Sequence, residues 1–109
     1  MTIINFEKYQ EAARSTRVPA GDNPLIYSTL GLTGEAGELA NKVKKILRED
    51  ANRAELIEGI KEEMGDVLWY LSAMADDLGV TLEDIANINV EKLKSRYARG
   101  VVRGSGDQR

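Results

Sequence analysis

Residues 52–79, NRAELIEGIKEEMGDVLWYLSAMADDLG, decide the fold class. Ile57, Ile60, Met64, Val67, Leu68, Leu71, Ala75 and Leu78 recur at the 3.6-residue period of an amphipathic helix. Asn52 stands where an N-cap is needed and Gly79 stands at the C′ position, so the stretch carries its own start and stop and predicts a helix over about 53–78. Upstream, Asp50-Ala-Asn52 reads as a short turn, and Asn23 followed by Pro24 opens an earlier helix over about 24–49. Pro19 and Pro24 bracket the loop before it, and a first helix, about Phe6 to Ser15, offers Phe6, Tyr9 and Ala13 to the core. Downstream, Thr81-Leu-Glu-Asp84 is a capping box that opens a last helix to about Ala98, ended by Gly100. Four helices with short connections and no alternating pattern predict an all-α, four-helix up-and-down bundle with a long central helix 2/helix 3 hairpin. The helical domain is expected to span residues 1–100, and 101–109, VVRGSGDQR, to form a flexible C-terminal tail.

Composition excludes many chemistries. With 109 residues the chain suits one domain, and 42% hydrophobic with 30% charged residues is the balance of a folded globular chain. It contains no Cys and no His, which removes disulfides, zinc fingers, thiol nucleophiles, Ser-His-Asp triads and Glu-x-x-His di-iron sites. Any metal must be held by oxygen. Fifteen Lys and Arg against eighteen Asp and Glu leave a net charge of −3, which argues against a broad face for a nucleic acid polymer. No apolar run reaches the roughly 18 residues of a membrane span, and MTIINFEKYQ lacks a basic stretch followed by an apolar one. The expectation is a cytoplasmic protein without membrane contact.

Acidic pairs at i, i+3 occur three times, as Glu35/Glu38, Glu55/Glu58 and Glu63/Asp66, a number that chance alone supplies. Geometry separates them. A hairpin that turns between Asp50 and Ala51 brings level those positions whose numbers sum to 101, so Glu38 meets Glu63 and Glu35 meets Asp66. Glu55 and Glu58 face Ile46 and Val43 instead. On a helical wheel the two level pairs also fall on the same side of the hairpin, which converges four carboxylates. Four like charges at that range repel unless a cation intervenes, and hard oxygen ligands favour Mg²⁺, with Mn²⁺ as the alternative. The other reading is four separate solvated carboxylates. Gly31, Gly34 and Gly37 lie beside the cluster, each costing about 1 kcal/mol against Ala in a helix. They imply close approach by a ligand, a second subunit or a neighbouring helix of the same bundle. On the last helix Asn89, Lys92 and Arg96 form one line, spaced i, i+3, i+7, able to grip phosphate oxygens or simply to face solvent.

Gly34-Glu-Ala-Gly-Glu-Leu39 and Glu62-Glu-Met-Gly-Asp-Val-Leu-Trp-Tyr-Leu71 resemble the MazG-like nucleotide pyrophosphohydrolases, whose ExxE, spacer, ExxD pattern reads here Glu35, Glu38, a gap of 24 residues, Glu63, Asp66. The likeness runs from about Phe6 to Gly100, and Asn89-Val-Glu-Lys-Leu-Lys-Ser-Arg-Tyr97 is similar to the family's phosphate motif. The resemblance implies Mg²⁺ on Glu35, Glu38, Glu63 and Asp66, and hydrolysis of a nucleoside triphosphate to monophosphate plus pyrophosphate. It also implies a homodimer or homotetramer with sites completed across subunits. Glu38, or Glu35 in its place, would polarise the attacking water, while Asn89, Lys92 and Arg96 hold phosphate. Trp69, Tyr70 and Tyr27 are the stacking candidates for a base. Two rivals stand: a phosphoribosyl-ATP pyrophosphatase of the same superfamily, and a non-catalytic helical dimerisation module.

Overall fold

The computed structural model describes residues 4–109; Met1–Ile3, the start of the stretch searched for a leader, lie outside the described residues. Four α-helices follow one another: α1 (Phe6–Ser15), α2 (Pro24–Lys44), α3 (Arg53–Leu78) and α4 (Leu82–Ala98). The fold is all-α, built on the central α2/α3 hairpin. Each start is a side-chain cap. Asn5, Asn23, Asn52 and Thr81 accept from the backbone N–H of Lys8, Ile26, Glu55 and Asp84 at 2.8, 3.4, 3.3 and 3.0 Å. At the end of α3, Gly79 takes φ +71°, with its N–H on the Asp76 carbonyl at 3.1 Å and the Val80 N–H on that of Ala75 at 2.9 Å. That pair of bonds is a Schellman motif. The second helix departs from its expected end near 49: it stops at Lys44 and tightens into a 3₁₀ turn over Lys45–Leu47. The Arg48 N–H bonds the Lys45 carbonyl at 3.1 Å, which uses up a terminal acceptor that would otherwise be orphaned.

Polar contacts fasten α1 to the far end of the hairpin. Gln10, 4% exposed, donates to Asp76 at 2.9 Å and to the Val80 carbonyl at 3.0 Å, and accepts from the Leu82 N–H at 3.0 Å. Arg17 pairs with Asp77 at 2.9 Å, and Ser28 donates to the same carboxylate at 2.7 Å. Ala13, Ala73, Ala75 and Leu82 are buried around these bonds. The expected α1 core of Phe6, Tyr9 and Ala13 is therefore corrected at its start: Phe6 is 48% exposed and Gln10 takes the interior position. The reason is that α1 crosses the α3–α4 corner, where backbone groups outside any helix ladder need partners.

The apolar row of α3 is covered on one side only. Ile57, Met64, Leu68, Leu71 and Leu78 stay exposed, as do Ile85 and Leu93 of α4, because α4 packs chiefly on α1 and only lightly on α3. The radius of gyration, 16.9 Å, exceeds the roughly 13 Å of a compact chain this long. One glycine of the small-residue face is explained inside the chain: a Cβ on Gly31 would run into the Tyr70 ring, whereas one on Gly34 or Gly37 meets open space.

These surroundings predict opposite outcomes for two chemically identical changes. Gly31→Ala must displace Tyr70 and is expected to destabilise by about 1–3 kcal/mol despite its better helix propensity. Gly37→Ala is expected to be neutral or to stabilise by up to about 1 kcal/mol. Urea unfolding of the two variants beside the parent chain checks both.

Candidate metal centre

The hairpin register sets the site. Gly31 lies against Tyr70, and Lys42 Nζ donates to the Gly59 carbonyl at 3.4 Å. Both pairs sum to 101, the register under which Glu35 stands level with Asp66 and Glu38 with Glu63. Carboxylate oxygens of Glu35, Glu63 and Asp66 lie within 4.8 Å of one another. The close pair across the helices is the diagonal one, Glu35 with Glu63. Glu38 is exposed, one turn along α2, and reaches the group through its charge, which adds to the rise in the Glu35 pKa.

Electrostatics divide the three acids. Glu63, with a side chain 13% exposed, receives Lys42 Nζ on Oε1 at 3.0 Å. That ammonium, then the hydrogen bond from Glu35, holds the Glu63 carboxyl below its usual range. Glu35 moves the other way: its hydrogen bond to Glu63 favours the protonated form, and burial with the charges of Asp66, Glu63 and Glu38 adds to the rise. Glu63 Oε2 is buried and has no hydrogen-bond donor. An orphaned, buried carboxylate oxygen beside two further acids, with no nitrogen or sulfur ligand nearby, fits a hard divalent cation. Tyr9 from α1 and Tyr70 from α3 flank the acids, and burial raises both phenols, so they stay neutral beside the negative group.

Lys42 escaped the sequence reading. Its signal was available: it follows Glu38 by one turn and stands opposite Gly59, one turn before Glu63. A lysine among many on a long helix nevertheless looks like a solvated face. A cavity of about 330 Å³ lies beyond Lys42 at the hairpin turn, between Lys45, Arg48 and Glu55. The aromatic candidates share a smaller cleft of about 140 Å³, where Tyr27, Trp69 and Tyr70 meet Arg17. Trp69 stands edge-on to Tyr70 with ring centres 5.0 Å apart, and its indole N–H donates to Thr16 at 2.8 Å.

Within one chain the two cations of the α4 line are engaged by the C-terminal residues. Asn89 is exposed, Lys92 pairs with Asp107 at 3.2 Å, and Arg96, 5% exposed, donates to Asp107 and to the Gly106 carbonyl at 3.2–3.3 Å. No α4 charge is among those that shift Glu35 or Glu63. Residues 101–109 form no helix but fold back over these cations.

A family model, the MazG nucleotide pyrophosphohydrolase domain, matches residues 27–101. The Gene 37 protein of Mycobacterium phage L5 is 47% identical over 114 residues, covering 97% of this chain and all of the phage protein. YvdC of Bacillus subtilis (strain 168) is 41% identical over 104 residues, covering 89% and 97% of the two chains. No solved structure matches.

The opposed shifts of the two glutamates predict opposed effects on the metal-free protein. A raised folded pKa, as at Glu35, gives stability that is present below the ordinary value of 4.5 and lost as pH rises through the folded one. A lowered one, as at Glu63, gives stability present above 4.5 and lost as pH falls through the folded value. With a chelator at neutral pH, Glu35→Gln is expected to raise the melting temperature and Glu63→Gln to lower it. Both differences should shrink toward pH 4, as thermal unfolding followed by circular dichroism will report.

Proposed function

The chain belongs to the MazG nucleotide pyrophosphohydrolase family, and from that premise we propose that it hydrolyses nucleoside triphosphates, ribo or deoxy, to the monophosphate and pyrophosphate in a Mg²⁺-dependent reaction. The observation that carries this reading is the Glu35–Glu63–Asp66 triad with its orphaned buried oxygen. Those three residues, with Glu38 alongside, would hold Mg²⁺ or Mn²⁺. When bound, the cation neutralises phosphate charge and lowers the pKa of water. Glu38, exposed and outside the triad, orients the attacking water and takes its proton, with Glu35 as the alternative once deprotonated. Water adds at one phosphorus of the α–β bridge and the bond from that phosphorus to the bridging oxygen breaks; the electron pair leaves with pyrophosphate when the α-phosphorus is attacked and with the monophosphate when the β-phosphorus is. The cleft of Tyr27, Trp69 and Tyr70 takes the base. Asn89, Lys92 and Arg96 bind phosphate oxygens, and the work is placed in the cytoplasm, on nucleotides and not on a polymer. Among the described residues no helix is long and apolar enough to cross a membrane.

The active form is a homo-oligomer, a dimer or a pair of dimers, in which α4 of one copy serves the carboxylates of another. Two observations support this: Lys92 and Arg96 pair with Asp107 and not with the acids of the hairpin, and apolar rows on α3 and α4 are left uncovered.

The deciding experiment is release of pyrophosphate from a panel of standard, deoxy and damaged triphosphates, with phosphoribosyl-ATP included. Activity is expected with Mg²⁺ on at least one triphosphate. Glu63→Gln should abolish it by about 100-fold or more, and Glu55→Gln should not, since a metal ligand carries several kcal/mol and each 1.36 kcal/mol is tenfold. Preference for phosphoribosyl-ATP would move the protein to the histidine-pathway activity. No release from any substrate would leave a helical association module.

Sharing of the site has its own readout. Light scattering should give at least twice the 12.0 kDa of one chain. A mixture of inactive Glu63→Gln and Arg96→Ala chains should recover roughly a quarter of the parental rate, because half the dimers are hybrids and each hybrid holds one intact site.

A further inference from the structure

The last residues of the chain sit on the cations that the proposed function gives to substrate. Arg96 is 5% exposed at the end of α4, and one of its nitrogens, Nη2, meets the Gly106 carbonyl, the Asp107 carbonyl and Asp107 Oδ1 at 3.2–3.3 Å. Lys92, one turn earlier, donates to the same Asp107 oxygen at 3.2 Å. The segment is shaped to deliver that carboxylate. Gly100 and Gly106 reverse the chain at φ +71° and +82°, and Arg109 closes the loop by donating to the Val101 and Val102 carbonyls at 3.0 and 3.2 Å. Arg99 accepts the chain end by donating to the Arg109 carbonyl at 2.8 Å.

We propose that this C-terminal loop is an intramolecular competitor, in which the Asp107 carboxylate occupies the phosphate position of Lys92 and Arg96 and must be displaced when substrate binds. The proposal rests on the reading of those two residues as phosphate ligands. Three features distinguish the contact from an ordinary structural ion pair. A carboxylate between two cations mimics an anionic oxygen group and leaves one positive charge uncompensated, so a polyphosphate with more charge outcompetes it. Arg96 Nε is buried and has no acceptor, so the loop does not complete the guanidinium fork that a phosphate with further oxygens would fill. Finally, Asp107 is 80% exposed and its bonds are long, the marks of a contact that opens readily.

The test uses the full chain and metal-free inorganic pyrophosphate, which has no base and undergoes no reaction. Asp107→Asn keeps the side-chain shape and removes the charge; Asp22→Asn, in the loop before α2, makes the same change in net charge at a residue that pairs with neither Lys92 nor Arg96. Calorimetry is expected to show Asp107→Asn binding pyrophosphate about three- to tenfold tighter, the range that follows when the closed loop dominates. Asp22→Asn should bind as the parent does. With triphosphate, the KM of Asp107→Asn should fall by a similar factor with kcat unchanged. Equal effects of the two substitutions would reduce the result to overall charge and overturn the proposal. Unchanged affinity in Asp107→Asn, with weakened affinity in Lys92→Ala, overturns the competitor and leaves the phosphate role standing. If Lys92→Ala in the Asp107→Asn background binds pyrophosphate as tightly as Asp107→Asn alone, the phosphate role falls and the competitor falls with it.

Discussion

The register of the α2/α3 hairpin is the constraint from which the rest of the molecule follows. Tyr70 lies in the space that Gly31 leaves free, and Lys42 reaches the backbone at Gly59, so the two helices are pinned level at points more than two turns apart. Between those pins the acids of both helices have no choice but to meet. Helical packing offers few alternatives at a contact this close, since a slip by one residue would turn the acids on one helix away from those on the other. A larger residue at position 31 or a smaller one at 70 would therefore loosen more than local packing.

Once the acids are brought together, the chain must manage the repulsion it has created. It does so unevenly. Lys42 neutralises Glu63, which stays ionised, while Glu35 is pushed toward its protonated form, and the buried Glu63 Oε2 is left without a donor. Such an arrangement is poor for stability and suited to a cation, which would replace both the lysine charge and the shared proton. The tyrosines on either side, both held neutral, lower the local polarity and sharpen each charge.

The remaining surface is arranged for company. A chain this short buries little apolar area alone, and here the row on α3 and the face of α4 are left in water. Alanines, a leucine and a polar network around Gln10, Arg17 and Asp77 hold the hairpin end together, so the folded unit has a defined corner and open sides. Gly34 and Gly37, with nothing opposite them among the described residues, keep the backbone beside the acids accessible.

Much of this was legible in the residues themselves. Asparagine and threonine caps, a glycine stop after Leu78 and a 3.6-residue period are local signals, each acting within one or two helical turns, and they locate every α-helix. The position of the turn between α2 and α3 then suffices to level Glu35 with Asp66 and Glu38 with Glu63. What only the tertiary structure decided are contacts made by long side chains between distant segments. These are Gln10 in place of Phe6, Lys42 on Glu63, the exclusion of Glu38 from the close triad, and Asp107 on Arg96. A flexible side chain has several rotamers of nearly equal energy, and which one it adopts is set by partners that local sequence does not name. Periodicity likewise shows that a helix face is apolar, but whether its own chain covers that face depends on where the last helix comes to rest.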